Sequence, residues 1–153
     1  MRIAVLQWAT PDYQLEFAPF LARNRAYAAS HNYSYILDGA PHHEAAPDLP
    51  PHWGKVAALS ALLDAREKHD YVLWLDADCL VADGGRRVED ALEQAADAAA
   101  RAQRRRRARG GAAAGDRAEA PPRVEFVGTD AQLDARFHLN SGAFVIARAS
   151  GRG

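Results

Sequence analysis

Two carboxylates, Asp76 and Asp78, are the residues of this 153-residue sequence whose type and spacing point most directly to chemistry. They follow an apolar run from Tyr71 to Leu75 without a break. The run lacks polar alternation, which predicts a strand buried on both faces of a parallel sheet. Because burying an unpaired carboxylate is costly, both aspartates must lie where the strand leaves the core. Ligands bind at this carboxyl edge in open α/β sheets, so we expect a site there.

The spacing of the two aspartates suits a cation. Residues two apart in an extended chain point the same way, roughly 7 Å apart at the backbone. Two carboxylates directed into one crevice can bind a hard divalent cation, which would in turn hold phosphate oxygens. The alternative is that the pair only solvates a strand end and begins a turn. The next residue, Cys79, is expected to be a small buried side chain and not a nucleophile.

The surrounding pattern predicts an α/β fold with a Rossmann-like, mostly parallel sheet flanked by helices. The strand at 71–76 should be central, because only its apolar run suits burial on both faces. The first strand, helix and strand should form a right-handed parallel unit. Strands are predicted at 2–8, 33–37, 71–76, 124–127 and 143–147, and helices at 19–31 and 53–69, with a further helix-prone stretch at 86–109.

A low-complexity insertion covers about residues 84–122 and carries an arginine run. No aromatic residue interleaves with the arginines to stack on bases, and a net charge of -1 gives no field that would attract nucleic acid. The composition favours a solvated helix end, and residues 101–120 are expected to be mobile or loosely packed.

Several other features limit the possibilities. One cysteine excludes an internal disulfide, and no apolar run of about 20 residues predicts a membrane segment. His42, His43 and His52 lie in a proline-rich loop without a ligand framework. The tryptophans Trp8, Trp53 and Trp74 are expected to pack in the core. No helix follows the 143–147 strand, so residues 1–153 are expected to form one domain that is incomplete in its C-terminal half.

Three segments of the sequence resemble one family. They are Trp53-Gly54-Lys55 with its helix, Leu73 to Asp78, and Leu139-Asn140-Ser141-Gly142 with the strand after it. Together they resemble the nucleotide-sugar glycosyltransferases of GT-A fold, and most closely the α-galactosyl-, α-mannosyl- and α-xylosyltransferases. The segment 24–33 is similar to that family's first helix and second strand. Asn32 stands where the family usually has glycine, and asparagine still permits a left-handed turn.

The resemblance implies roles for individual residues. Asp76 and Asp78 match the family's Asp-x-Asp motif, which would hold Mn²⁺ or Mg²⁺ against the two phosphates of the donor. Lys55 matches a lysine that would place charge near the diphosphate or the donor sugar; the alternative is an ordinary exposed lysine. Asn140, Ser141 and Gly142 match a turn that would contact the donor, and their alternative is a plain turn. No catalytic residue is assigned.

The function implied by the resemblance is metal-dependent, retaining transfer of a hexose or pentose from a nucleoside-diphosphate sugar to a glycan hydroxyl. The partners would be the nucleotide-sugar donor and a glycan or glycoconjugate acceptor. A Golgi membrane or lumen location would follow if an anchor precedes this chain. His138 does not match the histidine that family members carry late in their sequences.

Two other functions remain open at this stage. One is a non-catalytic sugar-nucleotide-binding remnant. The other is a phosphohydrolase with an aspartyl nucleophile, although Leu80 stands where those enzymes usually have threonine or valine and two strand signals precede the motif.

Overall fold

The computed structural model describes residues 1–40, 53–65, 69–109, 126–129 and 140–147, of which 106–109, 126–129, 140 and 141 are described by their backbone alone. Strands and helices alternate over most of this part of the chain. The elements are β1 (Ile3–Trp8), α1 (Pro11–Glu16), α2 (Ala18–Ser30), β2 (Ser34–Asp38), α3 (Gly54–Asp64), β3 (Tyr71–Leu75), α4 (Val88–Arg109), β4 (Phe126–Thr129) and β5 (Asn140–Ala147).

The strands form one five-stranded sheet in the order β2-β1-β3-β5-β4. Strand β1 pairs in parallel with β2 and β3, whereas β5 runs antiparallel to both β3 and β4. The predicted α/β fold and the central position of β3 are therefore confirmed. The parallel β2-β1-β3 half brings three strand ends to one edge, which is where a ligand site is expected.

Two hydrophobic clusters cover the two faces of the sheet. On one face, Val5 and Leu75 pack with Tyr27 of α2 and Leu92 of α4. On the other face, Leu6 and Trp74 pack with residues of α3 such as Ala58 and Leu62. Side chains alternate between the faces along β1 and β3, as the strand period requires. This two-sided burial explains why the β3 sequence is apolar throughout.

The helices near the cleft differ in part from those predicted. Strand β1 ends at Trp8 as expected, but Pro11 begins the short helix α1, which was not predicted. Helix α3 ends at Asp64, and Ala65 is extended at ψ 152°, so the predicted helix to residue 69 is wrong at Ala65 and His69, while residues 66–68 lie outside the described residues. Val56 in this helix is 52% exposed.

The strand predicted at 143–147 begins three residues earlier than expected. Asn140, Ser141 and Gly142 form the start of β5, so the predicted turn at these positions is wrong. Strand β5 pairs on both sides, and Val145 is buried against the α2 and α4 cluster, so β5 is not the uncovered edge that the sequence suggested. Strand β4 continues to Thr129, two residues beyond its predicted end, while residues 124 and 125 lie outside the described residues.

The arginine run begins inside a regular helix. Residues 101–109 complete α4, and Arg101, Arg104 and Arg105 are exposed there, while the rest of the stretch predicted to be loosely packed lies outside the described residues. Asn32 adopts φ 58°, which confirms the left-handed turn expected at that position. Within the described ranges, no helix is long and apolar enough to cross a membrane.

Candidate active site

A cleft of about 590 Å³ opens where β1 and β3 end. Asp76 and Asp78 line it from the segment after β3, and Lys55 lines it from the first turn of α3. The opposite wall comes from the end of β1 and from the α1 region, and its residues are Trp8, Thr10, Tyr13, Glu16 and Phe17. The cleft therefore combines three acidic residues, one lysine and three aromatic residues at the carboxyl edge of the sheet.

The carboxylate of Asp76 is held by two donors. The Nζ of Lys55 lies 3.0 Å from Oδ1 and 3.1 Å from Oδ2, so the ammonium spans both oxygens. The indole Nε1 of Trp74 donates to Oδ1 at 2.8 Å. The Lys55 and Asp76 side chains are 20% and 29% exposed, so solvent screens this ion pair less than a pair on the open surface. Lys55 is therefore part of the acidic site and not an ordinary surface lysine.

The backbone around Asp76 ties the cleft to strand β5. The Asp76 amide donates to the carbonyl oxygen of Gly142 at 2.7 Å, and the Asp76 carbonyl accepts from the Cys79 amide at 2.9 Å. Gly142 is buried and reaches the site through its carbonyl. The Asn140 and Ser141 side chains lie outside the described atoms, so their predicted contact with a donor sugar stays a prediction.

A close contact between Gly54 and Trp8 sets the start of α3 beside the cleft. A Cβ on Gly54 would come within 2.8 Å of the Trp8 ring, so only glycine allows this approach. The indole of Trp8 also donates to the Ala40 carbonyl at 2.9 Å. Trp74 is a core residue as predicted, but Trp8 faces the cleft in part and Trp53 is 49% exposed, so the core prediction is wrong for Trp53.

Cys79 is a half-buried free thiol behind the acidic pair. Burial raises its pKa above the usual value, and the negative charges of Asp78 and Asp76 raise it further. A raised pKa disfavours the thiolate, which is the nucleophilic form. Cys79 is therefore unsuited to nucleophilic catalysis, as the sequence indicated.

Two buried amides behind the acidic segment were not predicted as site residues. Gln7 and Asn24 are both 0% exposed, and the Gln7 Nε2 donates to the Asp76 carbonyl at 3.2 Å. A single glutamine in the apolar β1 sequence, and an asparagine on the buried stripe of α2, were the available signals. The cleft residues Tyr13 and Phe17 were missed as well, because α1 buries no residue and so shows no apolar period.

The acidic pair offers the right chemistry for a divalent cation but an incomplete shell. Among the residues that the structure describes, no group of three or more His, Cys, Asp or Glu side chains could hold a metal. Asp76 and Asp78 supply the hard oxygens that Mg²⁺ and Mn²⁺ favour, and a cation there would need further oxygens from a ligand and water. The loop histidines 42, 43 and 52, and His138, lie outside the described residues.

The fold and the cleft together define an α/β protein with a candidate ligand site at the carboxyl edge of its sheet. A glycosyltransferase involved in the glycosylation of the major capsid of PBCV-1 has a similar structure, with a TM-score of 0.61 and 11% sequence identity. The match covers 97% of this chain and 60% of that chain, so this chain spans three fifths of the length of its structural relative.

The chain belongs to the galactosyl transferase GMA12/MNN10 family, whose model matches residues 7–149. That range includes the acidic pair, Lys55 and the start of β5. A comparison with curated protein sequences found no match. The matched family model describes galactosyl transferases and not phosphohydrolases.

Proposed function

We propose that this chain forms the donor site of a metal-dependent glycosyltransferase, which transfers a hexose or pentose from a nucleoside-diphosphate sugar to a glycan hydroxyl. The observation that carries the proposal is the meeting of Asp76, Asp78 and Lys55 in one cleft at the carboxyl edge of the sheet. Family membership supports the reaction class, and retention of configuration is proposed from the family resemblance.

The charges of the cleft suit a diphosphate accompanied by a cation. Asp76 and Asp78 alone would repel phosphate, so a divalent cation between them and the phosphates is needed to make binding favourable. Once bound, Mn²⁺ or Mg²⁺ would offset the charge that develops as the nucleoside diphosphate leaves. Lys55 lies beside the same carboxylate, so its ammonium could also contact phosphates that are bound there.

The aromatic wall suits the nucleoside. Tyr13 is 52% exposed, and with Phe17 it lines the cleft across from the acidic pair. Aromatic rings in that position offer a stacking surface for the base of the donor. Stacking does not select one base, because every base has a π face. The donor would then lie across the cleft, with the base at α1 and the diphosphate at Asp76 and Lys55.

The test is titration calorimetry of the folded chain with UDP or GDP, with and without Mn²⁺. We expect binding that depends on metal, because the carboxylates and the phosphates each supply only part of the metal's shell. The double variant Asp76→Asn/Asp78→Asn keeps side-chain size and should lose metal-dependent binding. A matched control is Asp64→Asn/Asp97→Asn, which makes the same change in net charge at two exposed helix positions.

Nucleotide binding that is equally tight with and without Mn²⁺, or that is unchanged in the Asp76→Asn/Asp78→Asn variant, would contradict the donor-site proposal. Transfer is tested separately by sugar release from UDP- or GDP-sugars in the presence of glycan acceptors. Nucleotide binding without transfer by the 153-residue chain would favour the sugar-nucleotide-binding alternative over the enzyme.

A further inference from the structure

The backbone that carries the acidic pair is held from behind by two buried side-chain amides. Residues 76–81, here called the acidic turn, run from Asp76 past Asp78 to Val81. Gln7 in β1 and Asn24 in α2 lie beneath this turn, and both are fully buried. Neither lines the cleft, so any effect on a ligand must pass through the turn.

Each amide bonds directly to the backbone of the acidic turn. The Gln7 Nε2 donates to the Asp76 carbonyl at 3.2 Å. The Asn24 Nδ2 donates to the Cys79 carbonyl at 2.9 Å, and the Asn24 Oδ1 accepts from the Val81 amide at 3.0 Å. These bonds anchor the turn before and after Ala77 and Asp78. The direction of the Asp78 side chain therefore depends on both anchors.

The two amides also fix each other. The Asn24 Nδ2 donates to the Gln7 Oε1 at 3.2 Å, and the Tyr35 hydroxyl donates to the same oxygen at 2.9 Å. With its oxygen occupied by these donors, the Gln7 amide can present only its NH₂ group to Asp76. A buried network whose members are all satisfied is rigid, and loss of one member leaves other polar groups without partners.

We infer that Gln7 and Asn24 are positioning residues of the donor site, which hold the acidic turn so that Asp76 and Asp78 face one ligand. This inference rests on the proposed function, because it concerns affinity for a metal and a nucleoside diphosphate at those carboxylates. Groups that orient metal-binding carboxylates commonly change affinity by about 10- to 100-fold when they are removed. A role limited to fold stability would lower the melting temperature and leave the affinity of folded molecules unchanged.

The decisive variant is Gln7→Met, which keeps the length of the side chain and removes its hydrogen bonds. Tyr35→Phe is the matched control, because it removes a bond to the same Gln7 oxygen without touching the turn. The dissociation constants for Mn²⁺, and for UDP or GDP in the presence of Mn²⁺, are measured by calorimetry, well below the melting temperature of each variant. We expect binding about tenfold weaker or more for Gln7→Met, and within about twofold of the parent for Tyr35→Phe.

Asn24→Ser tests the same inference from helix α2 and replaces Gln7→Met if that variant does not fold. A parent that binds, together with folded Gln7→Met or Asn24→Ser variants of equal affinity, overturns the positioning inference alone. An equal loss in Tyr35→Phe also overturns it, because the effect would then belong to the network and not to the turn. A parent chain that binds neither ligand overturns the proposed function and this inference together.

Discussion

At the scale of single residues, Lys55 places a positive charge on the carboxylate proposed to bind metal. The ammonium lies within 3.1 Å of both Asp76 oxygens, so a cation that approaches Asp76 must compete with it. A diphosphate removes this conflict, because it gives Lys55 another anionic partner and gives the cation more oxygens. The ion pair would therefore make metal and nucleotide each favour the binding of the other.

Replacing Lys55 should have opposite effects on the two ligands. We expect Lys55→Met to bind Mn²⁺ alone about fivefold more tightly, because an ion-pair competitor of about 1 kcal/mol is lost. The same variant should bind UDP or GDP more weakly, because a positive charge near the phosphates is lost. Calorimetry with Mn²⁺ alone, and with UDP or GDP in the presence of Mn²⁺, checks both signs, and Arg101→Met on the exposed face of α4 controls for net charge. Weaker binding of both ligands would show that Lys55 supports the metal site and does not compete for it.

The residue types of the site were predictable, but their partners were not. Asp76 and Asp78 followed from an apolar run that ends in carboxylates, and Lys55 followed from the family resemblance. The contact between Lys55 and Asp76 joins positions 21 apart through the packing of α3 on the sheet, which no local pattern specifies. Gln7 and Asn24 were missed because a polar residue on a buried face shows its role only when its hydrogen-bond partners are known.

At the scale of elements, helices that bury an apolar stripe were predictable, and the others were not. Helix α2 buries Leu21, Tyr27 and Ala28, and its predicted bounds agree within a residue of those observed. Helix α1 buries nothing and so shows no apolar period in the sequence, although Pro11 suits the first turn of a helix. The early end of α3 comes from the extended backbone at Ala65, which the alanine-rich sequence does not signal.

The close contact between α3 and β1 makes Gly54 a sensitive position. A methyl group there would lie 2.8 Å and 2.9 Å from two atoms of the Trp8 ring, so the ring or the helix must move. Overpacking of this kind costs about 1–3 kcal/mol, which exceeds the gain of about 1 kcal/mol expected for alanine in a helix. We expect Gly54→Ala to lower the free energy of unfolding and to weaken nucleotide binding, because Lys55 is the next residue.

Gly84→Ala is the matched control for this substitution, since a Cβ at Gly84 would meet nothing within 4 Å. Urea denaturation and calorimetry on both variants check the prediction. Equal stability of the two variants would mean that the Trp8 ring can move aside with no loss in the free energy of unfolding. The contact would then not fix the start of α3.

At the scale of the whole molecule, the parallel half of the sheet was predictable and the antiparallel half was not. The strand–helix–strand pattern of β1, α2 and β2 fixes a parallel pair, and the apolar β3 run fixes a central strand. The placement of β5 beside β3 depends on pairing across more than 60 residues, for example Leu75 with Ala143. The apolar β5 sequence predicted a buried strand but contained nothing that specified its direction or its neighbours.

Alkaline pH should lower the free energy of unfolding of the whole chain, because it ionises a tyrosine buried between α2 and the start of α4. Tyr27 is 6% exposed, and its hydroxyl donates to the Arg86 carbonyl at 2.9 Å. Burial, together with the nearby phenol of Tyr33 and the carboxylate of Glu89, raises the pKa of Tyr27 to about 12. The unfolded chain releases this proton at a pKa of about 10. The contribution of the raised Tyr27 pKa to the free energy of unfolding is therefore fully present below about pH 10, and it is lost as the pH rises from about 10 through 12.

Urea denaturation between pH 8 and 12 checks this prediction on the parent and on Tyr27→Phe. Phenylalanine cannot ionise, so the variant should lose less stability above pH 10, although burial also raises the pKa of Tyr33 and Tyr35 and leaves part of the loss in place. Near pH 8 the variant should be less stable by about 1 kcal/mol, because the hydrogen bond to Arg86 is gone. Tyr13→Phe, at a half-exposed position in the cleft, should follow the parent curve. If Tyr27→Phe declines above pH 10 as steeply as the parent, the alkaline loss arises elsewhere, and the buried phenol is not the group that couples pH to folding.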